Sequence, residues 1–142
     1  VTSSSLTPIA TGENRYRLSE HRRLITDQAV DILTPDLPKV GGMRETRKIA
    51  DLAHQYYLPV ALHNVSSPIA TMAAAQVGAA IPNCLAVEYH GYELGWWSSL
   101  VEDSVIVDGR IAVPERPGLG VRLRLDVLAA NLVGAATQFA SG

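Results

Sequence analysis

A short apolar stretch that ends in a histidine constrains the fold of this chain more than any other feature. Residues 58–64 read LPVALHN, so His63 directly follows a run of apolar residues. Continuous apolar runs of this length are typical of strands that are buried on both faces of a parallel sheet. In α/β folds, ligands bind at the carboxyl ends of such strands. A lone histidine here is most simply a satisfied core residue, and only the rest of the chain favours a functional one.

Strands and helices are predicted to alternate three times along the first part of the chain. We expect strands at residues 6–13, 30–33, 58–63 and 84–88, with helices between them at 19–28, 41–57 and 67–80. Ser67 as N-cap and Pro68 at the first helical position are a typical start for the third helix. This alternation predicts βα units on a parallel sheet, and therefore an α/β fold.

The alternation of predicted strands and helices ends after Glu88. An Asp108-Gly109 pair between branched residues predicts a β-hairpin over residues 105–113, and Asp126 is positioned to cap a last helix through about residue 133. We therefore divide the chain into a partial (β/α) barrel at 1–90 and a C-terminal hairpin and capping segment at 91–142.

Helical periodicity assigns several further residues to a face. The apolar stripe of the helix at 41–57 should face the sheet, and it comprises Thr46, Ile49, Ala50, Ala53 and Tyr57. His21 and His54 also lie on predicted helices, and we expect both to be solvated.

Composition excludes several classes of protein. The net charge of −2 provides no basic surface for nucleic acid, so no nucleic-acid partner is expected. The apolar runs are shorter than the ~20 residues of a membrane span, so no membrane association is expected. Cys84 is the single cysteine, which excludes an intrachain disulfide and favours a reducing compartment such as the cytoplasm.

Ionisable residues end all four predicted strands: Glu13, Asp36, His63 and Glu88. The carboxyl ends of strands in a parallel barrel open on one face, so these side chains should converge. Neighbouring strands lie ~4.8 Å apart, which brings Asp36 within reach of the His63 ring. A carboxylate in that position orients an imidazole and raises its basicity, as a general base requires.

The same residues resemble a known family. Residues 8–14 (PIATGEN), Pro35-Asp36 followed by Gly41-Gly42, Leu62-His63-Asn64 and Glu88 are similar, in this order, to the mandelate racemase branch of the enolase superfamily, and residues 117–120 (PGLG) resemble its C-terminal signature. The run from His63 to Thr71 resembles sugar-acid dehydratases, galactonate dehydratase in particular. The resemblance implies the C-terminal half of a TIM-type (β/α)₇β barrel, strands five to eight, followed by a C-terminal capping segment.

The resemblance also implies roles for individual residues. Glu13 would be the third ligand of a Mg²⁺ ion, Asp36 and His63 the catalytic dyad, and Glu88 the last-strand acid that donates a hydrogen bond to a substrate carboxylate oxygen. Asn64 is also assigned to substrate binding, with a small sugar acid as the substrate. His90, two residues after Glu88, is a further candidate for substrate contact, and a role on the loop surface is the alternative that stays open. The implied reaction is that of a carbon–oxygen lyase, in which the α-proton is removed and the β-hydroxyl is eliminated.

The first two metal ligands, the second-strand base and the N-terminal capping domain of that family have no counterpart in the sequence. A full barrel takes ~250 residues. We therefore expect the 142 residues to be part of a larger protein, inactive alone, and dependent on the missing portion or on a homo-oligomer. Two alternatives stay open: a racemase or epimerase of the same superfamily, and a non-catalytic half-barrel with a structural role.

Overall fold

A four-stranded parallel sheet forms the centre of the protein. The computed structural model describes residues 2–89 and 95–132. The strands lie in sequence order, β1 (Ala10–Thr11), β2 (Ile32–Leu33), β3 (Val60–Leu62) and β4 (Cys84–Val87). The connecting helices are α1 (Arg17–Thr26), α2 (Leu37–Val40), α3 (Met43–Gln55) and α4 (Pro68–Ala80). The predicted α/β alternation is confirmed, although the regular pairing is shorter than the apolar runs suggested.

The C-terminal part contains the predicted hairpin. Strands β5 (Ile106–Val107) and β6 (Arg110–Ile111) pair antiparallel, and helix α5 (Leu125–Ala130) follows. Asp108 and Gly109 both have positive φ, 51° and 71°, as a two-residue turn of the mirror-image type requires. Asp126 lies inside the first turn of α5, and the N-cap is Arg124, so the predicted cap position was wrong by two residues.

The core lies between the sheet and the layer of helices. Leu33, Val60 and Leu62 project from the strands and are fully buried, and Ile25, Ile49 and Val77 contact them from the helices. The stripe predicted for α3 is confirmed at Thr46, Ile49, Ala50 and Ala53. Tyr57 was wrongly included, because α3 ends at Gln55 and Tyr57 follows with a left-handed φ of 59° and 93% of its surface exposed.

Some residues of the edge strand β4 are exposed, unlike those of the buried core. Leu85 is 60% exposed and Ala86 is also exposed, whereas the neighbouring strand β3 has buried residues at Val60 and Leu62. Strands β1 and β4 each have one neighbour in the sheet. The helices thus cover one face of the sheet, while apolar side chains of β4 remain accessible.

His21 is buried and not solvated, which corrects the sequence-based expectation. It is 0% exposed on α1, with Nδ1 2.9 Å from the Arg17 carbonyl oxygen and Nε2 3.2 Å from the Gly12 carbonyl oxygen. The ring therefore connects α1 to the end of β1. His54, on the outer face of α3, is exposed as expected.

Within residues 2–89 and 95–132, no helix is long and apolar enough to span a membrane.

The contacts of His21 predict a clear loss of stability on truncation. His21→Ala removes a buried ring that faces two backbone carbonyls, so we expect the free energy of unfolding to fall by about 1–3 kcal/mol. His54→Ala, an exposed histidine on a neighbouring helix, should change it by less than about 0.5 kcal/mol. Urea unfolding followed by circular dichroism measures both variants. Equal stabilities of the two would show that the His21 contacts contribute nothing.

Candidate active site

The polar ends of the four parallel strands lie side by side. Backbone pairing continues past each strand: the Thr34 N–H donates to Thr11 at 3.0 Å, the His63 N–H to Pro35 at 3.1 Å, and the Glu88 N–H to Leu62 at 2.8 Å. Asp36 and His63 themselves form an isolated parallel bridge. This register brings the side chains that follow each strand to one edge of the sheet, as the sequence predicted.

Asp36 and His63 form a close pair. The Oδ2 atom of Asp36 lies 2.8 Å from Nδ1 of His63, and the two side chains are 6% and 19% exposed. The other oxygen of Asp36, Oδ1, accepts the Lys39 backbone N–H at 3.0 Å. Asp36 is the N-cap of α2, and this second hydrogen bond fixes the plane of its carboxylate. The histidine is therefore oriented by a carboxylate that is itself held by a helix end.

Glu88 lies on the other side of the imidazole. Its Oε2 atom is 3.7 Å from His63 Nε2, and its side chain is 47% exposed. The same oxygen accepts the backbone N–H of Asn64 at 3.3 Å. The 3.7 Å separation is longer than a direct hydrogen bond, so Nε2 faces a carboxyl group across a narrow gap. A carboxyl group and an imidazole nitrogen are thus arranged around one accessible point.

Glu13 follows β1 and is oriented by its neighbours. Its Oε2 accepts the Gly12 N–H at 3.1 Å and the Thr34 hydroxyl at 3.4 Å, and its Oε1 accepts the Asn14 side-chain amide at 3.2 Å. A Cβ on Gly12 would lie 3.3 Å from the Thr34 nitrogen, and Gly12 has a φ of +136°. Glycine therefore lets the ends of β1 and β2 approach closely enough for Glu13 to reach the site.

These hydrogen bonds determine the ionisation of Glu13. The pKa of Glu13 lies below its ordinary value of 4.5, and the hydrogen bond from its own backbone N–H lowers it most. It is lowered further by the Gly12 N–H, the charge of His63 and the Thr34 hydroxyl, while partial burial raises it. Glu13 is consequently an anion at neutral pH. It has the chemistry of a ligand for a hard cation such as Mg²⁺, which prefers carboxylate oxygens.

A complete metal site is not formed within the described residues. Over 2–89 and 95–132 no three His, Cys, Asp or Glu side chains are grouped closely enough to hold an ion. That Glu13 is a metal ligand stays a prediction, and a site that includes it would need its other ligands from outside the described residues.

Asn64 and His90 were predicted to contact substrate. Asn64 is 1% exposed, and its side-chain amide donates to Thr71 Oγ1 at 2.8 Å and to the Glu88 carbonyl at 3.2 Å. This environment is that of a buried link between elements, and direct contact with substrate stays an untested prediction. His90 lies outside the described residues.

Sequence reasoning missed two residues that support the site. The short helix α2 was not predicted, and with it the backbone N–H of Lys39 that orients Asp36. The signal was present, because an Asp two residues before a Pro is a typical helix N-terminus. Thr71, the buried partner of Asn64, lies within an Ala-rich helix and has no comparable signal in the sequence.

The lowered pKa of Glu13 predicts its behaviour in acid. Because the folded pKa lies below the unfolded value, the stabilisation from ionised Glu13 is fully present above about pH 4.5 and is lost as the pH falls through the folded pKa. A ¹³C NMR titration without added metal should give a Glu13 midpoint below 4.5. The resonance is assigned by its loss in Glu13→Gln. A midpoint at or above the ordinary value would contradict the hydrogen bonding described.

Comparisons with known proteins agree with this geometry. Residues 1–127 match the model of the enolase C-terminal domain-like family. The chain is 64% identical over 140 residues to a D-xylonate dehydratase of Haloferax volcanii, covering 98% of this chain and 34% of that protein. It is 32% identical over 133 residues to a D-galactonate dehydratase of Xanthomonas campestris, covering 89% and 35%. The chain thus spans about a third of the length of these relatives.

A solved structure gives the same result for the fold. The crystal structure of a mandelate racemase/muconate lactonizing enzyme-like protein from Rubrobacter xylanophilus superposes with a TM-score of 0.86 at 41% identity, over 91% of this chain and 34% of that one. The resemblance to the mandelate racemase branch and to sugar-acid dehydratases is confirmed. The family match extends over most of the chain, and the parallel sheet and the sequence of residues at its strand ends agree with it. The chain therefore belongs to the enolase C-terminal domain-like family.

Proposed function

We propose that this chain is part of a Mg²⁺-dependent sugar-acid dehydratase. Its strands β1–β4 would be the fifth to eighth strands of the (β/α)₇β barrel, and residues 91–142 would lead to the capping domain. The observation that carries the proposal is the Asp36–His63 pair, 2.8 Å apart at the strand ends, with Glu88 3.7 Å from the opposite ring nitrogen. The names of the relatives, a D-xylonate and a D-galactonate dehydratase, support a sugar acid as substrate.

His63 is the proton-transfer residue. Its Nδ1 is engaged by Asp36, which leaves Nε2 directed to the accessible side of the pair. A nitrogen in this position accepts the α-proton of a carboxylate substrate, and Asp36 stabilises the imidazolium that forms. If a second base from the remainder of the protein removes the α-proton, the protonated ring instead donates its proton to the departing β-hydroxyl, which leaves as water. In the first route the imidazolium gives the proton it has accepted to the departing β-hydroxyl, so both routes release water and give an enol that tautomerises to a 2-keto-3-deoxy acid.

Glu13 supplies one oxygen ligand for the metal. Its ionised state at neutral pH and its orientation by Gly12, Asn14 and Thr34 suit this role. When bound, Mg²⁺ acts as a Lewis acid on the substrate carboxylate and stabilises the negative charge that develops as the α-proton leaves.

Glu88 acts on the opposite side of the substrate from Asp36. In its protonated form it donates a hydrogen bond to a substrate carboxylate oxygen, and this bond strengthens as charge develops on that oxygen. Glu88 Oε2 and His63 Nε2 are 3.7 Å apart, too close for a carbon atom to fit between them, so the reacting carbons would lie beside the two groups, within reach of both. This places the proton acceptor and the hydrogen-bond donor around the same carbon atoms.

The complete protein tests the proposal directly. Purified full-length protein with Mg²⁺ is incubated with a panel of aldonic acids, and formation of 2-keto acid is followed by a semicarbazide assay. The reaction is repeated in D₂O, and the recovered substrate is analysed by NMR. Formation of keto acid supports the dehydratase. Inversion of the α-carbon with uptake of deuterium, but without keto acid, identifies a racemase. If no acid of the panel gives either result, both proposed activities are contradicted.

The dyad predicts a large effect of a small substitution. Asp36→Asn keeps the size of the side chain but removes the charge that supports His63, so we expect kcat of the full-length protein to fall by about 10²–10⁴-fold. Asp31→Asn is the matched control, since Asp31 Oδ2 accepts the Ile9 N–H at 2.7 Å near the opposite end of the sheet. The control should retain parental kcat. Activity of Asp36→Asn within about threefold of the parent would end the dyad assignment.

The metal role predicts a change in cation dependence. Glu13→Gln should raise the Mg²⁺ concentration needed for half-maximal activity strongly, because a neutral amide is a weaker ligand than a carboxylate. Glu45→Gln is the control, since Glu45 also accepts a backbone N–H, that of Leu18 at 3.0 Å, but outside the strand-end cluster. Mg²⁺ titrations of activity and of binding by calorimetry compare the two variants. An unchanged Mg²⁺ dependence in Glu13→Gln would show that Glu13 is not a ligand.

A further inference from the structure

A buried polar pair lies directly behind the candidate active site. Asn64 and Thr71 are each 1% exposed, although both carry polar side chains. Burial of such groups costs free energy unless their hydrogen bonds are made. Asn64 follows His63 at the end of β3, and Thr71 lies in the first turns of α4. Because this buried pair lies next to His63, it is a candidate for a role in the site.

The hydrogen bonds of the pair have a defined direction. The Thr71 hydroxyl donates its proton to the Ser67 carbonyl at 3.2 Å, so its oxygen is left to accept. The Asn64 side-chain nitrogen donates to that oxygen at 2.8 Å and to the carbonyl of Glu88 at 3.2 Å. Because the Thr71 oxygen and the Glu88 carbonyl can only accept here, the amide of Asn64 must direct its nitrogen, and not its oxygen, toward them. The side chain of Asn64 thus connects α4 to the end of β4.

Glu88 is held by Asn64 at two points. The backbone N–H of Asn64 donates to the carboxyl oxygen Oε2 at 3.3 Å, and its side chain donates to the Glu88 carbonyl. The N–H of Glu88 is bound in turn to Leu62 at 2.8 Å. A glutamate that is 47% exposed has several accessible rotamers. The hydrogen bond to Oε2 favours the one that faces His63 Nε2, and the two backbone contacts fix the main chain from which that side chain extends.

We propose that Asn64 and Thr71 are positioning residues for Glu88 in the dehydratase reaction, an inference that rests on the proposed function. Asn64 acts through Glu88, since its buried side chain is turned toward Thr71 and β4. Thr71 acts through Asn64 by holding its amide in the plane that reaches the Glu88 carbonyl. The pair thereby sets where the Glu88 carboxyl group lies relative to His63 Nε2, and so how both groups meet the substrate.

The chain offers a matched control for a purely structural role. Asn83 lies just before β4, at the opposite edge of the sheet, and its side-chain nitrogen donates to the carbonyls of Ala50 at 3.1 Å and Leu58 at 2.9 Å. Asn83→Ser and Asn64→Ser therefore each remove two side-chain hydrogen bonds, from a half-buried asparagine in the first case and from a buried one in the second. Only the second is expected to disturb Glu88.

The experiment compares four variants of the full-length protein: Asn64→Ser, Thr71→Val, Thr71→Ser and Asn83→Ser. Thermal melts establish that each is folded at the assay temperature. We expect kcat to fall roughly 10–100-fold in Asn64→Ser and Thr71→Val, because a shift of ~1 Å in a reacting group has an effect of this size. KM should stay close to the parental value, since the bond from Glu88 strengthens only in the transition state. Thr71→Ser keeps the hydroxyl and should restore kcat, and Asn83→Ser should keep parental kcat despite a lower Tm.

Crystal structures of Asn64→Ser and Thr71→Val separate this inference from the proposed function. If the parent protein dehydrates no sugar acid, the proposed function fails, and the position of Glu88 alone then decides the inference. Displacement of the Glu88 carboxyl from its place near His63 Nε2, with the fold unchanged, supports a positioning role. An unmoved Glu88 overturns the inference, as does a loss of kcat in Asn83→Ser equal to that in Asn64→Ser at comparable Tm.

Discussion

The parallel register between β2 and β3 is the constraint on which the candidate site depends. Leu33 pairs with Val60, and the ladder continues past the strands to the bridge between Asp36 and His63. Paired residues of neighbouring strands project to the same face of a sheet, so this register brings the carboxylate and the imidazole together. A slip of one residue would turn one of the two side chains to the other face. The 2.8 Å contact between Asp36 and His63 is thus a consequence of the backbone pairing of β2 with β3.

The core on the helix side maintains that register. Leu33, Val60 and Leu62 are fully buried against the helices, and each lies within three residues of a polar group of the site. Displacement of either strand along its axis would expose these side chains, at ~25 cal/mol for each Å² of apolar surface returned to water. Because packing and site geometry share the same short strands, the hydrophobic core that stabilises the fold also fixes the distances at the strand ends.

The sequence predicted those parts of the site that follow from strand periodicity. Glu13, Asp36, His63 and Glu88 end apolar runs, and parallel pairing alone brings such ends to one edge. Contacts that depend on tertiary approach could not be predicted in this way. His21 was expected to be solvated because its helix has a sparse apolar face, and only the position of the Gly12 carbonyl shows why its ring is buried. Thr71 is similar, since nothing local distinguishes it from a threonine on a solvated helix face.

The different exposures of the Asp36, His63 and Glu88 side chains explain why different contacts hold each of them. The Asp36 side chain is 6% exposed and is fixed by a helix N-terminus, and that of His63 is 19% exposed and is fixed by Asp36. The Glu88 side chain is 47% exposed and follows β4, which has a single neighbouring strand within the described residues, so few contacts within this chain restrict it. Ordering such a side chain costs ~1.5–2 kcal/mol of conformational entropy, and a hydrogen bond contributes ~1 kcal/mol. The single hydrogen bond from the Asn64 N–H to the carboxyl group is therefore too weak by itself to hold Glu88 in one rotamer. The bond from the Asn64 side chain to the Glu88 carbonyl adds to it by fixing the main chain from which the side chain extends.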